Sequence, residues 1–171
     1  FHWVRDASLT IMALQEVGFA NLDIILKNYL SITQLHQSKS GDSQLGEPKY
    51  LVNGDPYTGP WGRPQNDGPA LRAIVFSTWA NQLLNQKQDS YVRTHLYDGK
   101  LPSQSVLKRD LEYVAHHWNE PSYDLWEEQK ADHFYTLIVS RRALVMGAEI
   151  ALRMKDKGAA DYYVLQANLL K

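Results

Sequence analysis

Between Tyr123 and Glu128 the chain sets three carboxylates, Asp124, Glu127 and Glu128, around the indole of Trp126. Residues of these types can cut a glycosidic bond. One carboxyl group protonates the leaving oxygen, a second serves the anomeric carbon, and flat aromatic faces hold the sugar rings. Crowded acids raise one another's pKa, and an adjacent indole adds a desolvation effect of the same sign, so one carboxyl can stay protonated near neutrality. The same stretch also fits a solvated helix start. The local pattern leaves both readings open.

Two further constellations carry polar chemistry. Trp61-Gly62-Arg63-Pro64-Gln65-Asn66-Asp67-Gly68-Pro69 combines a stacking indole and a guanidinium with glycines that let backbone approach a ligand and prolines that stiffen the loop. Its structural alternative has Trp61 plugging the end of a helical assembly and Arg63 pairing with a core carboxylate. Trp3-Val4-Arg5-Asp6 places a donor beside an acceptor at a helix start, suited to vicinal hydroxyls, although Asp6 also reads as an ordinary N-terminal cap. His116-His117, with Glu120 nearby, invites a metal reading. Adjacent helical residues diverge by about 100°, however, and a helical zinc site needs the i, i+4 spacing. His36 and His133 read as satisfied helix residues. The chain has no Gly-x-Ser-x-Gly elbow, no GxGxxG and no P-loop, so neither a serine nucleophile nor a nucleotide cofactor has support.

Helices must position these residues. Residues 6 to 17 carry Leu9, Ala13, Leu14 and Val17 at helical spacing behind Asp6 as cap, and Gly18 ends the run. Residues 21 to 36 follow with Leu22, Ile25, Leu26, Tyr29 and Thr33, giving a helical hairpin. From Ser38 to Asp67 the character changes: Gly41 to Ala70 holds six of the ten glycines and five of the seven prolines, among residues such as Tyr50, Tyr57 and Trp61 that pack or bind. Asn66 then reads as an Asx cap, with Pro69 in the first turn, for a helix to about Leu84. Further helices are expected over 107 to 118 (Leu107, Leu111, Val114 inward), over 132 to 154 (Phe134, Leu137, Ile138, Leu144, Val145, Ala148, Ile150), and from 159 onward. No alternating strand run and no short-period repeat stands out. The predicted class is all-α, with functional residues on the loops.

Composition narrows the alternatives. The 171 residues suit a single domain with a sizeable core, and a formal charge of −1 with scattered Lys and Arg offers no field for nucleic acid. No apolar run is long enough to span a membrane, and no signal peptide is visible within these residues. Without cysteine there are no disulfides, thiolate metal sites or Cys nucleophile, and no Asn-x-Ser/Thr acceptor occurs. The start without Met and the cut-off last helix are expected of a partial sequence.

Three segments in order, Trp3-Val4-Arg5-Asp6-Ala7, then Gly46-Glu47-Pro48-Lys49 leading to Tyr57 through Arg72, then Asp124-Leu125-Trp126-Glu127-Glu128, resemble the glucoamylases of glycoside hydrolase family 15, yeast-type members in particular. The similarity runs over essentially the whole chain. It implies an (α/α)6 barrel, a toroid of six helical hairpins, with residues 1–171 forming about half of that catalytic domain. It also implies exo-acting, inverting release of α-1,4-linked, and more slowly α-1,6-linked, glucose from non-reducing ends of starch, maltose and malto-oligosaccharides. By this resemblance Glu127 is the general acid, and Asp124 tunes it and is sometimes assigned as proton acceptor. Glu128 binds on the leaving side, Arg5 and Asp6 hold the reacting glucose, and Trp61 stacks and supports the acid beside Tyr57, Lys49 and Arg63.

An inverting pair needs carboxyls roughly 6.5–9.5 Å apart across the sugar, which places Asp124, three residues from the acid, poorly for the base; the resemblance implies a glutamate from the later half of the barrel in that role. The sequence departs from the family at Glu120 and at Lys130-Ala131-Asp132. No metal, cofactor, nucleic acid or membrane is expected as a partner. The resemblance further implies a secreted protein, monomeric when intact, of which these residues alone are inactive. Two alternatives remain: a related α-glucan or trehalose hydrolase of the same fold, and a non-catalytic sugar-binding helical module.

Overall fold

A computed structural model describes residues 1–40 and 44–170. Gly41–Ser43, part of the irregular segment, and Lys171, at the end of the last expected helix, lie outside the described residues. The principal helices are α1 (Val4–Glu16), α2 (Leu22–Ser38), α3 (Asp67–Asn85), α5 (Val106–His117), α6 (Phe134–Arg153) and α7 (Lys157–Leu169). The short α4 (Asp89–Tyr91) runs into a π-helical turn over Val92–Leu96 that has no counterpart in the sequence reading. Four two-residue strands pair antiparallel: β1 (His2–Trp3) with β2 (Lys49–Tyr50), and β3 (Ser122–Tyr123) with β4 (Lys130–Ala131). Each is too short for an alternating pattern to show.

The helices form two layers. In one, α1 packs on α3 and α3 on α6; in the other, α2 packs on α5 and α5 on α7; and α1 with α2, α3 with α5, and α6 with α7 join the layers as three hairpins. This is all-α as expected, and three hairpins are half of a six-hairpin toroid. The central helix α3 has neighbours on nearly every side, and residues 67–77 are buried without interruption. Ala70, Ala73 and Ala80 let the neighbours approach, while Phe76 and Trp79 supply the bulk.

Burying cations in such a core demands partners. Arg72 on α3 gives its Nε to Asp110 Oδ2 at 2.7 Å and its Nη2 to Oδ1 at 2.5 Å, and Gln37 on α2 donates to the same Oδ1 at 3.0 Å. Three helices thus meet on one fully buried carboxylate. A second cluster ties α5 to the start of α7: buried Lys108 bonds Asp156, Tyr97 donates to Asp156 Oδ2 at 2.9 Å, and Asp156 Oδ1 caps α7 at the Ala159 amide.

Several expected details are corrected. The first helix begins at Val4, not behind Asp6: pairing in β1 holds Trp3 extended, and the Val4 amide donates to Pro48 O at 3.0 Å, which satisfies one of the amides that a helix start leaves open. Asp6 is therefore an exposed first-turn residue rather than the cap. The buried stripe of α1 is Val4, Ser8 and Ile11, while Leu9 and Val17 face outward. A serine can take the inward position because its hydroxyl donates to Val4 O and meets the Tyr29 hydroxyl at 2.8 Å, bonds invisible to a hydrophobic pattern.

Asn66 does not cap α3 through its side chain, which instead accepts from the Tyr113 hydroxyl and donates to His117 O on α5. On α6, Phe134 (79% exposed), Ile138 and Val145 lie on the open face, because only one side of that helix meets α3 and α7. Leu9, Met12, Ile74, Ile138 and Met146 together line an open concavity of about 750 Å³ on the α1–α3–α6 layer. Among the described residues no helix is long and apolar enough to cross a membrane.

Asp110→Ala leaves the Arg72 guanidinium in the core without its counter-ion and is expected to lower the unfolding free energy by about 3–5 kcal/mol. Urea denaturation measures this. The paired replacement Arg72→Met with Asp110→Leu is expected to cost much less, since no charge is then left unpaired.

Candidate active site

Main-chain bonds lace the three segments together at one end of the helices. His2 and Trp3 register with Tyr50 and Lys49, and the Tyr57 amide donates to Lys49 O at 2.9 Å, which joins the first segment to the second. The Gln65 amide donates to Gly46 O at 2.8 Å, and the Tyr123 amide to Pro64 O at 2.9 Å, which joins the third segment to the second. Gly62 has room for no side chain: a Cβ there would lie 2.8 Å from the Tyr123 ring and 3.4 Å from Glu127 Cβ. The close approach brings the Glu127 loop onto the Trp61 loop.

Within this frame a chain of polar contacts runs from Glu127 to α3. Gln65 Nε2 donates to Glu127 Oε1 at 3.0 Å, Arg5 Nη2 donates to Gln65 Oε1 at 2.9 Å, and Arg5 Nη1 donates to Asp67 Oδ2 at 2.7 Å. Burial pushes the Asp67 carboxyl up, and the Arg5 charge opposes that shift. Asp67 Oδ1 is buried without a hydrogen-bond partner among the described residues. Glu127 itself adopts φ +63°, a left-handed conformation uncommon outside glycine.

A tight turn holds that conformation. The Glu127 amide donates to Asp124 O at 3.1 Å, and Asp124 Oδ1 accepts from the Glu128 and Gln129 amides at 2.8 and 3.1 Å. The Gln129 amide first, then the Glu128 amide, hold the Asp124 carboxyl below the usual carboxylate range. That carboxylate is committed to its own loop.

An aromatic platform lies alongside. Trp61 meets Trp3 edge-on at 5.5 Å and Tyr57 at 6.3 Å, and Lys49 Nζ sits 3.9 Å from the Trp61 ring centre, 4.2 Å from Tyr57 and 4.1 Å from Phe1. Desolvated cation–π contacts reach about 2 kcal/mol, so the buried ammonium pins the ring cluster. Arg63 is spent on the protein: Nε bonds the buried Glu47 carboxylate, Nη2 donates to Tyr57 O at 2.7 Å, and Nη1 to Gly59 O at 3.2 Å. It braces the loop that carries Trp61, as in the structural alternative read from the sequence.

The predicted residues are thus brought together to different degrees. Arg5, Lys49, Tyr57, Trp61, Arg63, Asp124 and Glu127 share connected loops. Asp6 and Glu128 are exposed, with side chains that make no hydrogen bond among the described residues, and Trp126 is 79% exposed. Gln65, Glu47 and Asp67 enter as partners that residue-type reasoning passed over, although all three belong to quoted motifs. Their place within the Gly- and Pro-rich run from Gly41 to Ala70 was the available signal. His117 stacks on Tyr113 and approaches Glu120 at 3.0 Å, and no group of three metal-capable side chains exists among the described residues.

Comparison with known proteins gives a consistent picture. Residues 1–170 match the family described as glycosyl hydrolases family 15. A glucoamylase of Blastobotrys adeninivorans is 41% identical over 99% of this chain and 29% of its own length. Glucoamylase 1 of Rhizopus oryzae is 39% identical over 99% and 28%. Among solved structures, a glucoamylase from Saccharomycopsis fibuligera superposes with a TM-score of 0.84 at 34% identity, covering 99% of this chain and 38% of that one. A family 15 glucoamylase from Hypocrea jecorina does so with 0.87 at 34%, covering 98% and 28%. The chain thus spans less than two-fifths of the length of each of these proteins.

The low carboxyl pKa of Asp124 sets a pH dependence for the loop. Its hydrogen bonds are fully present above the unfolded value and are lost as pH falls through the depressed folded value, so the Glu128 and Gln129 amides should lose protection below pH ~4. Asp124→Ala should expose them at every pH. Hydrogen exchange resolved by NMR measures both outcomes.

Proposed function

The chain belongs to glycosyl hydrolases family 15, and from that membership we propose that its loop end is part of a glucoamylase active site with Glu127 as general acid. The substrates are starch, maltose and malto-oligosaccharides. The enzyme removes terminal α-1,4-linked glucose, and α-1,6-linked glucose more slowly, from non-reducing ends with inversion. The observation that carries this reading is the held carboxyl: Glu127 is fixed in a left-handed turn, bonded by Gln65 at 3.0 Å, on a loop bonded through Tyr123 to the Trp61 loop.

In the proposed reaction Glu127 gives its proton to the glycosidic oxygen as the bond to the anomeric carbon breaks. A water attacks that carbon from the opposite face and yields its proton to a base. Asp124 is poorly placed for the base, because its carboxylate accepts from the amides of its own turn and it stands three residues from the acid. Asp67 and Glu47 are occupied by Arg5 and Arg63. Following the family resemblance, the base is assigned to a part of a longer catalytic domain of which residues 1–171 form about half. Remaining helices of that domain would cover Leu9, Ile138 and the other apolar residues of the open face. Trp61 stacks on the sugar, Arg5 and Asp6 address the reacting glucose, Glu128 the leaving side, and Lys49, Tyr57 and Arg63 hold the platform. A secreted monomer needing no cofactor completes the reading.

In the full polypeptide Glu127→Gln should lower kcat on maltose by several orders of magnitude with KM little changed, since the proton is demanded only in the transition state. Steady-state glucose release measures it, and turnover near the wild-type rate sinks the assignment. Hydrolysis of trehalose in preference to maltose would move the protein to the related substrate class. Sugar binding without turnover would make it a binding module. Residues 1–171 alone should release no glucose.

A further inference from the structure

We infer that Gln65 is a positioning residue that fixes which oxygen of Glu127 carries the transferable proton. The inference rests on Glu127 being the acid, and it begins from a feature of the amide that does not. A glutamine side chain can in principle be turned end for end, but its neighbours here admit one orientation. Arg5 only donates, and its Nη2 lies 2.9 Å from one terminal atom of Gln65, so that atom is the carbonyl oxygen. Gly62 O only accepts and lies 3.0 Å from the other, so that atom is the NH2 group. The contact from the same nitrogen to Glu127 Oε1, at 3.0 Å, is consequently a donation to the carboxyl group.

An oxygen that faces an N–H cannot also hold its proton toward that donor. In a protonated carboxyl the carbonyl oxygen is the stronger acceptor, so Oε1 takes the accepting role and the acid's proton is directed to Oε2, which makes no hydrogen bond among the described residues. The buried backing of the amide makes this a fixed arrangement. Gln65 is 1% exposed, its backbone amide bonds Gly46 O, and Arg5 is anchored in turn on Asp67 at 2.7 Å. The device orients the proton before substrate arrives, and it balances two demands. The amide stabilises the carboxylate left after transfer, and being neutral it favours that charge less than a directly paired guanidinium would. Arg5 is one amide removed from Glu127, and Gln65 is the spacer that keeps it there.

The test uses two variants in the full polypeptide. Gln65→Met keeps length and volume but donates nothing. Gln65→Glu keeps the bond to Arg5 and replaces the donor with an acid facing Glu127. The readout is the titration midpoint of the Glu127 carboxyl by 13C NMR, its signal identified by loss in Glu127→Gln, with thermal unfolding to verify folding. Both variants should raise the midpoint, Gln65→Glu more than Gln65→Met, and should move the alkaline limb of kcat/KM to higher pH. Each should also lower kcat about 10- to 100-fold with KM little changed, as expected for a misdirected catalytic group.

An unchanged midpoint in a folded variant of either kind overturns the inference, since a merely structural glutamine would lower the melting temperature and leave the titration alone. If Gln65→Glu fails to fold, Gln65→Met decides alone. A shifted midpoint together with wild-type turnover in Glu127→Gln would keep the Gln65 coupling and remove the acid assignment.

Discussion

Arg5 and Asp67 meet at 2.7 Å at the foot of two neighbouring helices, with side chains 13% and 2% exposed, and this ion pair is what the loop end is built upon. Arg5 lies in the first turn of α1 and Asp67 opens α3, so their bond sets the start of one helix against the start of the other. A carboxylate in the first turn of α3 also meets the positive end of that helix. With one nitrogen of its fork on Asp67, Arg5 has another left for Gln65, and through Gln65 the α1–α3 junction reaches Glu127. Taking two charges out of water is costly, and the fork of guanidinium donors recovers that cost by serving two acceptors at once.

The helices supply rigidity and the loops supply shape. Behind α3 the Arg72–Asp110–Gln37 cluster locks the layers together, so the start of α3 is a fixed platform rather than a fraying end. In front of it the loops are held by a few main-chain bonds, by the Lys49 ammonium among four rings, and by Arg63 gathering the carbonyls of Tyr57 and Gly59. Positive charge is thus used twice here to organise a loop from within. The unfavourable φ of Glu127 is tolerated because Asp124 closes its turn with two backbone amides. A carboxylate employed to shape the loop is a poor candidate for abstracting a proton from water. The structure thereby separates three acids that the sequence places side by side.

The open face of the α1–α3–α6 layer follows the same logic in reverse. Leu9, Ile138 and Val145 are apolar at helical spacing and exposed, while α3 beside them is buried on nearly every side. Exposed apolar stripes on otherwise well-packed helices mark surfaces made to be covered. They occur in a chain that spans 28–38% of the length of the four glucoamylases named above.

The sequence by itself determined the helical class, the approximate spans of α2, α3, α5, α6 and α7, and the three segments that converge. Those features rest on local periodicity, on punctuation by glycine and proline, and on unusual residue combinations that read the same in one dimension. It did not determine that Ser8 would face inward while Leu9 faced out, that Trp3 rather than Asp6 would precede α1, or that Asn66 would bond α5 instead of capping α3. Each of those outcomes depends on a partner far away in the chain: Tyr29, Pro48 and Tyr113 respectively. Tertiary structure alone decided the division of labour at the site, with Arg63 bracing, Asp124 stapling, and Gln65 joining Arg5 to Glu127. A hydrogen bond is specified by where two atoms arrive, and that is settled only when helices distant in sequence pack.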